Sequence, residues 1–291
     1  MDADRPIFLV GFGRSGSTHI HGVFAFHPQL AWLTRFADSY PHRMALNAFA
    51  MRLFDVKPLS DLVARKLPPR EGWRYWDSFF PGFSEPFRDL TSDDVSPYIR
   101  ARMKRAVENI ATRSRGRVLI KLTGWPRIAF LQEIFPDAKF VHVLRDGRAA
   151  ANSLLHTEFW RGWKGPSQWR WGELDAEHTA QWDRWDRSFI ALAALQWKRF
   201  IESMAIASKG VDNFLEVRYE DICADPQNGF RQLAEFCDIG WHSDLEHKIL
   251  RTEFRQANYK WQEELTTRQQ EMLEDLLGET CVGMGYDEIP K

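Results

Sequence analysis

Residues 6–26, PIFLVGFGRSGSTHIHGVFAF, run from an apolar stretch through a glycine-rich turn into an amphipathic segment. Ile7, Phe8, Leu9 and Val10 predict a buried strand. Gly11, Gly13 and Gly16 follow, and Ser17-Thr18 lead into Ile20, Val23, Phe24 and Phe26 at helical spacing. Strand, glycine turn and helix start are the parts of a phosphate cradle, in which the open N–H groups and partial positive charge of a helix N-terminus meet an anion. Gly11 and Gly16 keep the spacing of a nucleoside-triphosphate loop, and Thr18 stands where such a loop holds its metal-binding hydroxyl. The lysine that reaches the outer phosphates is absent, however, with Ser17 in its place. The cation has moved into the turn as Arg14, whose guanidinium suits forked bonding to phosphate or sulfate oxygens.

The cradle demands a sheet around it, and the rest of the chain supplies the strands. Leu30–Leu33 predicts a short one, Val118-Leu119-Ile120 a second that ends at Lys121, Phe140–Leu144 a third and Phe214–Val217 a fourth. Helical periodicity covers 98–113, 126–135, 187–208, 226–237 and 267–277, the last with Thr267 and Gln270 as a capping box and Gly278 as its stop. Strands alternating with helices imply an α/β fold: a three-layer, mostly parallel central sheet with right-handed crossovers and flanking helices. All 291 residues are read as a single domain, 1–291. Residues 41–97, rich in proline and aromatics, and 156–186, with Trp160, Trp163, Trp169, Trp171, Trp182 and Trp185, are read as aromatic-rich helical insertions over the substrate.

Composition narrows the function classes. A formal net charge of −1 gives no global attraction to nucleic acid. No leader-like N-terminus and no run of eighteen apolar residues is seen, so neither secretion nor a membrane span is expected. Cys223, Cys237 and Cys281 are odd in number and widely spaced; they lack a zinc pattern and suit a reducing, cytoplasmic setting.

A second anion element stands at the end of the 140–144 strand. Arg145 closes it, and Ser153 lies two helical turns on, so both side chains can converge on one anion. With Gly13-Arg14-Ser15-Gly16-Ser17-Thr18, this pair resembles the sulfotransferases that use 3′-phosphoadenosine 5′-phosphosulfate (PAPS), in which a P/G-R-S-G-T-T loop precedes a strand-end arginine followed by serine eight residues later. FPDAKFVHVLRDGRAAANS is similar to that segment of tyrosylprotein and bacterial carbohydrate-type sulfotransferases, and VRYEDICADP to another element of the family. The likeness spans most of the chain except 41–97. It implies PAPS as donor and adenosine 3′,5′-bisphosphate (PAP) as product, with no metal required. On this resemblance Arg14, Ser15, Gly16, Ser17 and Thr18 hold the 5′-phosphosulfate, Arg145 and Ser153 the 3′-phosphate, and Lys121 stabilises the leaving oxygen. Tyr219 contributes to the nucleotide site, as do Lys260 and Trp261 in a C-terminal segment that closes over it.

Sulfuryl transfer also needs a base for the acceptor proton. Many family members carry a histidine two residues after the strand-end lysine, where this chain has Thr123; others carry a glutamate after the first helix, where it has Thr34, Arg35 and Phe36. Asp38 is the first candidate and His42 the next, with Asp77, Glu85 and His156 behind them. The expected acceptor is a small molecule or glycan, read as a hydroxyl on a carbohydrate or glycolipid. The tryptophan-rich segment either stacks sugar faces or fills an insertion core. Oligomeric state is left open. A P-loop nucleotide kinase and a non-catalytic PAP-binding protein are the competing readings.

Overall fold

Five strands form one all-parallel sheet in the order β2-β3-β1-β4-β5: β1 (Ile7–Gly11), β2 (Leu30–Ala31), β3 (Arg117–Thr123), β4 (Lys139–Leu144) and β5 (Phe214–Arg218). This is a computed structural model, and it describes residues 5–166 and 172–286. β1 is central, with Leu9 opposite Lys121 of β3 and Val141 of β4. Its five residues are all buried, which explains the unbroken apolar run: a strand covered on both faces has no polar face to show. Ile7 and Leu9 enter one core and Phe8 and Val10 the other.

The helices are α1 (Ser17–Phe24), α2 (Arg35–Ser39), α3 (Met44–Phe54), α4 (Lys57–Lys66), α5 (Trp73–Phe79), α6 (Pro97–Glu108), α7 (Ile128–Ile134), α8 (Gly147–Leu155), α9 (Ala176–Arg184), α10 (Phe189–Ala207), α11 (Tyr219–Ala224), α12 (Pro226–Phe236), α13 (Ser243–Leu250), α14 (Lys260–Glu264) and α15 (Thr267–Gly283). α1 and α12 cover the Ile7/Leu9 face, and α6, α7, α8, α10 and α15 the Phe8/Val10 face. The three-layer α/β arrangement is as expected. β2 and β3 lie to one side of β1 and β4 and β5 to the other, so the strand order reverses at β1. In such sheets ligands settle at the carboxyl ends of the strands around that reversal.

Several expected boundaries move, each for a tertiary reason. β2 stops at Ala31 because the Asn47 side chain takes over the next backbone groups: it donates to the Trp32 carbonyl at 3.0 Å and accepts from Thr34 N–H at 2.8 Å. β3 runs past Lys121 to Thr123. α6 ends at Glu108, before a turn closed by reciprocal Thr112–Arg115 backbone bonds. The capping box of α15 is Thr266 with Gln269, one residue earlier than expected, and Gly278 does not stop the helix. A Cβ at Gly278 would lie 2.6 Å from Glu274 Oε1, and Glu274 bonds Arg148 of α8 at 3.2 Å. Gly278 thus makes room for a helix-to-helix ion pair.

His21 of α1 is buried against β3, and neither ring nitrogen has a hydrogen-bond partner of normal geometry. Burial, then the neighbouring Lys121 charge, pushes its pKa down to about 3, the Leu119 backbone offsetting only part. The unfolded imidazole protonates near its ordinary value of about 6.5. Between those limits the unfolded chain holds the extra proton, so stability falls as pH drops. Urea unfolding of the wild type and His21→Leu should show their difference shifting by about 1 kcal/mol from pH 6.5 to 5.5, against the wild type. Parallel pH dependences would overturn this.

Candidate active site

At the carboxyl end of β1 the chain turns through Phe12–Gly16 into α1. Gly16 is the N-cap, at φ +85°, and no side chain caps the helix, so its first N–H groups remain available for an anion. Only glycine fits here: a Cβ would lie 2.2 Å from the Tyr219 ring, which walls the turn from β5's end. The Ser15 hydroxyl is buried without a hydrogen-bond partner among the described residues. Arg14, at φ +75°, reaches across the cradle and donates Nε to Ser153 Oγ of α8 at 2.9 Å. Arg145, at the end of β4, donates to the Arg14 carbonyl at 2.9 Å and to Asn258 Oδ1 at 3.1 Å. Burial holds its guanidinium below its ordinary pKa, Glu220 opposing. The two anion elements are therefore one continuous surface.

Lys121 projects from β3 beneath the cradle. Its ammonium donates to Thr18 Oγ1 at 2.9 Å and pairs with Glu71 Oε1 at 2.6 Å. The same Glu71 oxygen accepts from Thr123 Oγ1 at 2.9 Å. Lys121 and Glu71 side chains are 8% and 16% exposed. A cleft of about 690 Å³ opens above this point, within the range of ligand sites. Cations dominate its lining, with Arg14, Arg70, Lys121, Arg145 and Arg255 set against Asp38 and Glu71; Trp73, Phe159 and Tyr219 give it aromatic walls.

The family model described as "Sulfotransferase family" matches residues 6–243. The chain belongs to the sulfotransferase family. It is 24% identical over 98% of its length, and 76% of the relative's, to a protein of Mycobacterium bovis named omega-hydroxy-beta-dihydromenaquinone-9 sulfotransferase. A protein-tyrosine sulfotransferase of Caenorhabditis elegans is 27% identical over 40% of this chain and 26% of its own. In fold it resembles the solved sulfotransferase STF9 of Mycobacterium avium, with TM-score 0.61 and 19% identity, over 99% of this chain and 78% of that one.

Of the residues singled out in the sequence, the sulfotransferase brings Gly13, Arg14, Gly16, Ser17, Thr18, Lys121, Arg145, Tyr219 and Asp38 into the cleft lining, with Ser153 joined through Arg14. Three others depart from expectation. Trp261 is buried at 3% exposure with Arg148 over its ring at 5.5 Å, a packing position. Lys260 is exposed at the start of α14 and His42 in the turn before α3; neither is a lining residue. The C-terminal segment still reaches the site, through Asn258 and through the lining residues Arg255 and Ala257. Among the other base candidates, Asp77 accepts from Ser84 and His156 faces Glu264 at 3.6 Å; these two and Glu85 are not lining residues.

Sequence reasoning missed Glu71. It sits between Pro68-Pro69-Arg70 and Gly72-Trp73, inside 41–97, where no family motif was read from the sequence. A carboxylate held between a proline pair and a glycine was the available signal. Asp38 supports that loop, its Oδ1 accepting from Arg74 N–H at 3.1 Å; burial raises its pKa, while the Arg74 N–H, Arg70 and Arg74 oppose the rise. His19 also lines the cleft, stacked on Phe254 at 4.8 Å with Nδ1 3.3 Å from the Tyr219 hydroxyl.

Gly16→Ala forces an L-residue into left-handed backbone and displaces Tyr219. A stability loss of at least roughly 1–2 kcal/mol is expected in urea unfolding; an unchanged midpoint would contradict the cradle geometry.

Proposed function

We propose that this sulfotransferase moves the sulfo group of PAPS to a hydroxyl on a lipid-like acceptor, with Glu71 taking the hydroxyl proton. The observation that carries the reading is the Thr18–Lys121–Glu71–Thr123 cluster, which puts a cation for the leaving oxygen and a carboxylate for the proton at one point of the cleft floor. The open N-terminus of α1, the unpartnered Ser15 hydroxyl and the excess of cations suit a donor with several negative charges.

The donor, when bound, supplies a sulfo group activated on a phosphate oxygen. Arg14, Ser15, Gly16, Ser17 and Thr18 would grip its 5′ end and Arg145 with Ser153 its 3′-phosphate, beside Tyr219. Lys121 then gives its charge to the bridging oxygen as the sulfur–oxygen bond breaks. That exchange loosens its pairing with Glu71, which accepts the acceptor proton as the new oxygen–sulfur bond forms. Asp38 acts by holding the Glu71 loop through Arg74 N–H rather than by taking the proton itself.

A kinase reading fits poorly. The Thr18 hydroxyl, where a triphosphate loop would hold Mg²⁺, is engaged by the Lys121 ammonium, and a second cation there meets repulsion.

The acceptor was expected to be a carbohydrate or glycolipid, partly from the tryptophans of 156–186. Trp160 is buried, Trp182 and Trp185 pack on the core, Trp163 is not a lining residue, and Trp169 and Trp171 lie outside the described residues. The aromatics that do line the cleft, Trp73 and Phe159, suit an apolar body, and the mycobacterial relative is named for a hydroxylated menaquinone. A hydroxylated lipid, glycolipids included, fits better than a free sugar. Pro69–Trp73 and Phe159 come from 41–97 and 156–186, which supports reading these as substrate-covering insertions of one 1–291 domain. The free Cys223, Cys237 and Cys281 accord with a cytoplasmic setting.

Calorimetry should give micromolar PAP binding, weakened about 10- to 100-fold in Arg145→Ala, since one charge-assisted contact is worth roughly 1.5–3 kcal/mol. With PAPS, hydroxylated isoprenoids or glycolipids should be sulfated and free hexoses not. Glu71→Gln should lose at least about 100-fold in turnover with PAP affinity kept, and Asp38→Asn should lose less. Near wild-type turnover in Glu71→Gln, or the reverse order of losses, would remove Glu71 as the base.

A further inference from the structure

Phe159 does two jobs at once. It lines the cleft beside the cradle, yet its surface is 55% exposed. Four residues on, Trp163 is 59% exposed in a short 3₁₀ turn, Gly162–Lys164. Large aromatics left in water cost free energy unless something covers them.

The turn that carries them is firmly built. Trp160, between the two, is buried and donates its indole N–H to Gln196 Oε1 of α10 at 3.0 Å. Phe189 meets the Trp160 ring edge-on at 6.1 Å and is itself 52% exposed. Backbone bonds from Lys164 N–H to Arg161 at 2.9 Å and from Gly165 N–H to Gly162 at 2.8 Å close the turn. A buried tryptophan therefore anchors a turn that presents others outward.

Charge accompanies the aromatics. Arg161 and Lys164 are exposed, and the Lys164 ammonium lies 5.0 Å above the Trp163 ring. Glu158 is the acid of the turn. Aromatic rings flanked by arginine and lysine are the chemistry of a membrane–water interface: the rings enter the headgroup region while the cations meet anionic lipid. Overall charge is −1, so any such attraction must be local.

We propose that residues 158–164, with Phe189, form a membrane-docking surface that seats the lip of the cleft on an anionic lipid bilayer. Phe159 then stands where an acceptor leaving the bilayer would enter the cleft. The purpose of the surface rests on the lipid-acceptor reading, but its test does not.

Full-length protein is sedimented with vesicles of phosphatidylcholine alone or with added phosphatidylglycerol, neither containing an acceptor. Binding should favour the anionic vesicles and weaken with salt. Lys164→Glu should weaken it at least about fivefold, Trp163→Ser about tenfold, and Trp163→Phe little; all three should keep wild-type PAP affinity and circular dichroism. Absence of wild-type binding to anionic vesicles, or binding that neither Lys164→Glu nor Trp163→Ser alters, would overturn the proposal. So would self-association of the free protein abolished by Trp163→Ser, which would make the patch a protein contact. Docking with no lipid sulfated would instead count against the acceptor reading alone.

Discussion

An ammonium taken almost out of water needs partners close enough to replace its hydration. Lys121 finds them in two separate parts of the chain: Thr18 at the start of α1 and Glu71 in the loop before α5. The position is set by the sheet. β3 lies beside β1 in parallel register, with Lys121 opposite Leu9 and Thr123 opposite Gly11. The lysine thus emerges beside the cradle. Glu71 is drawn in by this charge and by the Thr123 hydroxyl, and that loop is tied over the cleft. His21, buried close by, is kept neutral by its surroundings and by Lys121 itself, so α1 adds no second charge beneath the floor.

A similar economy joins the two anion elements. Arg145 leaves β4 next to the Arg14 carbonyl, and Arg14 returns to Ser153 on α8. Behind them Glu220 collects the Asp146 N–H at 3.1 Å, the Asn258 amide at 2.5 Å and the Tyr286 hydroxyl at 3.0 Å. This carboxylate connects the starts of α8 and α11 with the C-terminal segment. Asn258 faces both ways, donating to Glu220 and accepting from Arg145. The segment after α13 is fastened to the nucleotide side of the cleft by an uncharged side chain, which adds no negative charge beside Arg145.

The parts legible in the sequence were those with local signals. Four apolar residues followed by Gly11, Gly13 and Gly16 marked β1 and the turn into α1, and strand end with helix pitch brought Arg145 and Ser153 to the two sides of Arg14. Boundaries failed where a distant side chain intervened, as Asn47 does at β2 and Arg148, paired with Glu274, does beside Gly278. Trp261 was misread because a tryptophan beside a binding segment looks the same in sequence whether it faces the ligand or Arg148. Glu71 was missed for a different reason: its partners Lys121 and Thr123 lie about fifty residues away, and the proline pair and glycine that flank it do not point to them.

The absent loop lysine has a counterpart on the neighbouring strand. In a triphosphate loop the lysine rises from the cradle itself, leaving the adjacent hydroxyl to a metal. Here an ammonium comes from the neighbouring strand and donates to that hydroxyl at 2.9 Å, so a cation of the protein stands where a triphosphate loop would hold Mg²⁺. A threonine at position 123 is short enough to admit a carboxylate from outside the sheet and to orient it by a hydrogen bond. On the proposed reading the base would therefore come from outside the sheet, from the same stretch that lends Arg70, Gly72 and Trp73 to the cleft lining. Acceptor fit and proton removal would then be linked: a molecule that displaces the Pro69–Trp73 loop moves Glu71 with it.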